Sequence, residues 1–257
     1  MKLRRILTAT LAVGVLSALS GCGDEPNVSD DNGPSVQSAP AVLSKDKFAA
    51  EIAAAQTEAD SAHFEVAIDV QGQSFEGSGD LAGLGNPDDL RAQFSADFAG
   101  EPVEMRLIGK MVYLKGASFA QDGKEWIGIN GSDPSNPLSQ LFDSANPANF
   151  NAYLDGVTDL KDEGTENIAG VETRHYSLTI DTATMLEANP MFEGQDASSM
   201  GMPETITSDV YVDADNRPIK LEVTLGDTGT VEATFSDYGK DVTIEEPDPS
   251  TVGEFPL

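Results

Sequence analysis

The feature that most restricts this fold is an alternation of apolar and polar residues with a period of two. Phe64, Val66, Ile68 and Val70 alternate with His63, Glu65, Ala67 and Asp69. Ala92, Phe94, Ala96 and Phe98 alternate with Arg91, Gln93, Ser95 and Asp97, and Val103, Met105 and Leu107 flank Glu104 and Arg106 in the same way. A helix scatters such residues around its axis, whereas a strand puts them all on one face. Gly-Gln, Gly-Asn-Pro, Gly-Glu-Pro and Asp-Gly-Lys break the runs between residues 72 and 124, and these are turn formers. The pattern predicts an antiparallel meander with one apolar and one wet face.

Further strands are expected at Ser74–Leu84, Met111–Leu114, Trp126–Ile129, Thr158–Ala169 and Glu172–Asp181, with Tyr176, Leu178 and Ile180 inward and His175 outward. Four more are expected around Ile206–Val212, Ile219–Leu225, Val231–Phe235 and Val242–Ile244. A first helix is expected over Ser44–Asp60, because Phe48, Ile52, Ala55 and Ala59 recur at helical spacing. Ser44 suits its N-cap and Asp46 its first turn. Two short helices, Leu138–Ala145 and Ala148–Leu154, are expected on either side of Asn146-Pro147, and a third at Thr182–Ala188. Residues 189–204 are too polar and too broken for an element, yet carry Met191, Phe192, Met200 and Met202. They either cap the core or form an adaptable apolar rim.

The N-terminus constrains location. Lys2, Arg4 and Arg5 precede an apolar run, Ile6–Leu19, of secretory-signal length. Leu19-Ser20-Gly21-Cys22 resembles a bacterial lipobox and contains the chain's one cysteine. The resemblance implies a diacylglyceryl thioether on Cys22 and cleavage before it. Two or more acyl chains hold a protein stably on a bilayer. The plainer alternative is a secretory signal with a chance cysteine. Residues 1–21 are thus expected to be a signal peptide and 22–42 a lipid-anchored disordered tether rich in Pro, Ser, Asn and Gly. One domain would follow, 43–257. The expected address is the cell membrane, anchored on its extracytoplasmic side.

Loss of residues 1–21 leaves 12 Lys and Arg against 44 Asp and Glu, a net charge of −32. That excludes the basic footprint nucleic acid requires. It also disfavours charge-driven docking on anionic lipid. A self-repelling monomer is expected. One cysteine permits no internal disulfide and no thiolate zinc site.

Catalytic patterns are missing from the sequence. It has no Gly-x-Ser-x-Gly, His-Glu-x-x-His or phosphate loop. His63 and His175 both fall on polar strand faces, where solvated surface histidines are expected. Asp213–Pro218 superficially suggests a calcium loop, but Arg217 stands where an oxygen ligand is needed; a hairpin turn is expected instead. No catalytic residue, metal or cofactor is assigned, and no enzyme is expected.

Several stretches together carry a family resemblance. They are the lipobox, the amphipathic first helix, Gly109-Lys-Met-Val-Tyr-Leu-Lys115, Lys124-Glu-Trp-Ile127 and Ile168-Ala-Gly-Val-Glu-Thr-Arg-His-Tyr176. Val210-Tyr-Val-Asp213 and Thr234-Phe-Ser-Asp-Tyr-Gly239 complete the set. Their order and spacing resemble the LppX/LprAFG lipoprotein family, whose fold is similar to the LolA/LolB carriers. The resemblance implies an α+β fold: a strongly curved antiparallel half-barrel of about 10–11 strands, with a few helices on its concave side. In characterised members the apolar cavity holds acyl chains of lipids or glycolipids and the proteins help move them through the envelope.

The residues themselves lead to a similar place. A broad apolar sheet face must be covered, and the covering material is short helices and one Met-rich loop. Either the sheet closes on itself or a gap remains that a hydrophobic ligand fills. The expected lining is Phe64, Val66, Ile68, Phe94, Phe98, Met105 and Leu107 from the first meander. Leu141, Phe142, Tyr153, Leu154 and Tyr176 would add to it, with Met191 and Phe192 near the mouth. The alternative is a non-catalytic envelope interaction or signalling module, with a filled core and a protein partner.

Overall fold

The computed structural model describes residues 40–70, 72–86, 89–98, 100–120, 123–131, 156–187, 197–200 and 202–254. All belong to one unit, Gln37–Leu257. The expected helices at 138–154 lie outside the described residues, as do Cys22 and the whole leader and most of the tether.

Two meanders and a short last strand, β12 (Val252–Glu254), build one curved, unclosed sheet of 12 strands among the described residues. The first comprises β1 (Ser61–Val70), β2 (Gln73–Ala82), β3 (Arg91–Phe98), β4 (Glu101–Ile108), β5 (Met111–Lys115) and β6 (Trp126–Asn130). The second comprises β7 (Val157–Ile168), β8 (Val171–Asp181), β9 (Thr205–Val212), β10 (Pro218–Thr224) and β11 (Gly229–Ser236). They join where β1 pairs antiparallel with β11, Phe64 opposite Phe235. The strand order is β12-β6-β5-β4-β3-β2-β1-β11-β10-β9-β8-β7.

Register aligns the apolar positions into rows. One row runs Phe64, Gly79, Phe94, Met105, Leu114, and its neighbour runs Ala62, Leu81, Ala92, Leu107, Val112, Ile129. A slip of one residue would turn either row to the wet face. Gly79 holds its place because a Cβ there would lie 2.0 Å from the Gln93 carbonyl oxygen and 2.9 Å from the Phe64 ring. A Cβ at Gly77 would meet the Phe94 ring at 2.2 Å. Bare backbone at these two positions lets Phe64 and Phe94 lie close over β2, stacked with centroids 5.8 Å apart.

The helix α1 (Lys45–Ala59) covers the other end of the apolar face. Phe48 and Ile52 are buried against Tyr176, Leu178, Ile180, Ile206 and Val210. Phe48 meets the Tyr176 ring edge-on, centroids 5.1 Å apart. Ser44 occupies the N-cap position with extended dihedrals, but its hydroxyl bonds nothing there. Asp60 ends the helix in the left-handed region at φ 61°, its N–H donating to the Gln56 carbonyl. The chain before α1 is pinned to β8. The Tyr176 hydroxyl accepts from the Leu43 N–H at 2.7 Å and donates to the Ala41 carbonyl at 3.2 Å. Arg174, paired with Asp162, also donates to the Pro40 carbonyl at 3.3 Å.

Three expectations need correction. The sheet has 12 strands rather than 10–11, and one of its pairings is parallel: β12 (Val252–Glu254) runs alongside β6. No strand forms at Val242–Ile244. Residues 240–248 instead run as an irregular strap over the polar face. Arg91 and Arg106 hold it by donating to the Ile244 and Glu245 carbonyls, both at 2.9 Å, and Lys124 donates to the Ser250 carbonyl at 2.5 Å.

The hairpin turn at Asp213 forms as expected. Its carboxylate accepts from the N–H groups of Asp215 and Arg217 and from the Arg217 guanidinium. The short helix α2 (Thr182–Glu187) follows β8, and Asp181 caps it through Thr184. The sheet's long edge, β7, carries Asp159, Lys161, Asp162, Glu163 and Glu166. Its pairing slips at Val157/Asp159 and again at Asp162/Gly164.

Candidate functional site

Two apolar clusters divide the inner face. One lies beneath α1; the other comprises Leu90, Leu107 and Val112 with Leu84, Ala92, Met105 and Leu114 against them. Between them is a hollow of about 400 Å3. Phe64, Leu81, Ala92, Phe94, Met105 and Leu107 line it from β1–β4, with Leu84 and Val112 beside them. Val210, Pro218, Leu221 and Phe235 line it from β9–β11, and Gln56 from α1. Twelve of these thirteen described lining residues are apolar and none is charged. Such a wall accepts hydrocarbon and rejects ions.

The structure brings Phe64, Phe94, Met105 and Leu107 together at this hollow. It does not bring the other described candidates there. Tyr176 is fully buried, sealed under Phe48, and burial pushes its hydroxyl above the usual tyrosine range. Val66 and Ile68 are half-buried further along β1, opposite Gly77 and Phe75. Phe98 ends β3, and its side chain lies outside the described residues. Leu141, Phe142, Tyr153, Leu154, Met191 and Phe192 also lie outside them. Sequence reasoning missed Gln56, Leu81, Leu84, Ala92 and Val112 as well as the four residues of β9–β11. The alternation marks Val210, Leu221 and Phe235 as inward, but only the β1–β11 pairing puts them beside Phe64.

A larger hollow, about 1030 Å3, lies elsewhere, with Glu65, Glu76, Asp97, Glu104, Glu125 and Glu232 in its walls. Those carboxylates need water, so size does not make it the better apolar site. The two histidines are more engaged than expected of solvated surface groups. His63 Nδ1 lies 2.8 Å from Asp80, which also accepts from Gln93 at 2.7 Å. The His63 hydrogen bond holds the Asp80 carboxyl below the usual range against the opposing effect of burial. His175 Nε2 lies 2.7 Å from Asp209, its ring stacked on Tyr211. No group of three or more His, Cys, Asp or Glu among the described residues could hold a metal. No described helix is long and apolar enough to cross a membrane.

A large open antiparallel sheet with an apolar hollow on one face defines a class of fold, and comparison identifies the family. The chain belongs to the LppX_LprAFG lipoprotein family, whose model matches residues 44–244. Its fold is similar to that of Mycobacterium tuberculosis lipoprotein LppX, at 20% identity and a TM-score of 0.52, covering 79% of this chain and 100% of that one. It is also similar to LprF from Mycobacterium bovis, at 16% identity and a TM-score of 0.54, covering 81% and 99%. A 150-residue stretch is 27% identical to an uncharacterised 31.2 kDa Streptomyces griseus protein from the rplA–rplJ intergenic region. That match covers 52% of this chain and 49% of the relative, so the chain spans about half the length of the curated relative it matches.

Proposed function

We propose that this chain is an extracytoplasmic lipoprotein, anchored through Cys22, whose domain takes up the acyl chain of a lipid or glycolipid and carries it within the envelope. The supporting observation is the hollow of about 400 Å3 with twelve apolar walls. At ~30 Å3 per water-sized group, it has room for about a dozen methylenes. Each buried methylene contributes ~0.8 kcal/mol, or roughly 10 kcal/mol gross for the chain. The lost freedom of the ligand offsets part of that. The surrounding clusters supply a preformed wall, so little rearrangement opposes entry.

The test is native mass spectrometry of the full chain after delipidation and reloading from envelope lipid extract. An acyl lipid should return to the wild type, and Ala92→Phe, which adds a ring inside the hollow, should exclude it while the fold persists. A wild type that takes up no lipid ends the proposal. The anchor has its own readout: labelled palmitate should enter the wild type and not Cys22→Ala.

A further inference from the structure

We infer that Gln56 selects the ligand's headgroup, so that the hollow takes neutral acyl lipids bearing an ester, amide or hydroxyl and discriminates against ionised fatty acids. The inference rests on the lipid-binding reading above and specifies it.

Phe48, Ile52 and Gln56 are spaced by four and share one face of α1. The first two are buried in the core, as that face requires. The third continues the stripe but is polar, and it lines the hollow between apolar clusters. Its carboxamide makes no hydrogen bond with any described residue, although its backbone carbonyl serves the Asp60 N–H. An apolar residue would suit the helix and the sheet better. Gln56 is half-buried, so water can serve its carboxamide while the hollow is empty, and a ligand that displaces that water must replace its hydrogen bonds. A carboxamide donates through its NH2 and accepts through its oxygen, so it matches an ester or amide carbonyl or a hydroxyl near the head of an acyl chain. With no charged residue among the described walls, an ionised carboxylate drawn inside would leave its charge unpaired.

Three labelled probes of equal chain length separate these possibilities: monolauroylglycerol, laurate and dodecane. They are delivered from cyclodextrin at neutral pH to the full chain held in amphipol, and retained probe is counted. The wild type should hold monolauroylglycerol about tenfold more tightly than either of the others, the equivalent of one hydrogen bond. Gln56→Leu should erase that margin over dodecane, hold dodecane better than the wild type does, and unfold at an equal or higher temperature. Gln56→Met reads the same ratio should the leucine variant not fold. An unchanged ratio in a folded variant that still binds overturns the role of Gln56 and leaves lipid binding standing. Laurate retained as well as monolauroylglycerol overturns the neutral-headgroup assignment. A wild type that retains none of the three refutes lipid binding itself, and this inference with it.

Discussion

Tyr176→Phe removes one oxygen from the molecule and two hydrogen bonds with it. The N–H of Leu43 loses its acceptor at 2.7 Å, and Leu43 is itself only 8% exposed, so water does not readily replace it. The carbonyl of Ala41 loses a donor at 3.2 Å, but Ala41 is exposed and water takes over. The ring keeps its contact with Phe48. The expected loss is therefore that of one buried unpaired donor, about 1–3 kcal/mol. For a domain of this size each kcal/mol moves the melting temperature by roughly 2–4 °C. Thermal unfolding followed by circular dichroism should show a fall of roughly 2–12 °C at neutral pH. Amide exchange should accelerate at Leu43 and the first turn of α1 but not at Ile180 in the middle of the sheet. An unchanged melting temperature together with unchanged exchange at Leu43 would refute the claim that Tyr176 pins the segment before α1.

Three further outcomes are expected. Gly79→Ala should destabilise more than Gly77→Ala, because its Cβ meets a carbonyl oxygen of the neighbouring strand, whereas Gly77 faces the end of a movable ring; urea midpoints of the two variants test the order. On the acid side, the Asp80 carboxyl is held below its ordinary value of 3.8 by His63. That stability is present above 3.8 and lost as pH falls through the lowered value, so the slope of unfolding free energy against pH there should flatten in Asp80→Asn. On the alkaline side, burial first and then the charge of Asp213 push the Tyr238 hydroxyl above its ordinary 10.0. The unfolded chain then loses this proton first, so stability is complete below pH 10 and declines above it. Tyr238→Phe should lack this part of the decline, although it loses the 2.6 Å bond to the Pro218 carbonyl.

What could be read from the residues was whatever depends on near neighbours. Alternation marks strands such as β1, β3, β4, β8 and β10 to within a few residues, because a strand's two faces are set by its own side chains, whereas β5 and β6 show only as short runs apolar on both faces. The spacing of Phe48 and Ile52 gave α1 in the same way. The strap after Tyr238 was not legible: Val242 and Ile244 look like a strand, and only Arg91, Arg106 and Lys124, far away in sequence, show otherwise. The hollow was half legible. Phe64, Phe94, Met105 and Leu107 share a face within one meander, whereas Val210, Leu221 and Phe235 reach it through a pairing between distant strands. Tyr176 was misplaced for a related reason. Alternation reveals that a residue points inward, but not which helix has already settled on top of it.

The edges of the open sheet have a consequence for molecules that meet one another. A long, flat, unpaired strand is a template on which a second molecule can add its own edge, and then a third, until a ribbon grows. β7 is long enough for this at 12 residues. Its two slips in pairing break the even row of donors and acceptors, and its carboxylates repel an identical edge. At the opposite end, β12 offers only three residues. Each molecule thus ends its own sheet in a form that its copies cannot extend, even at high local density.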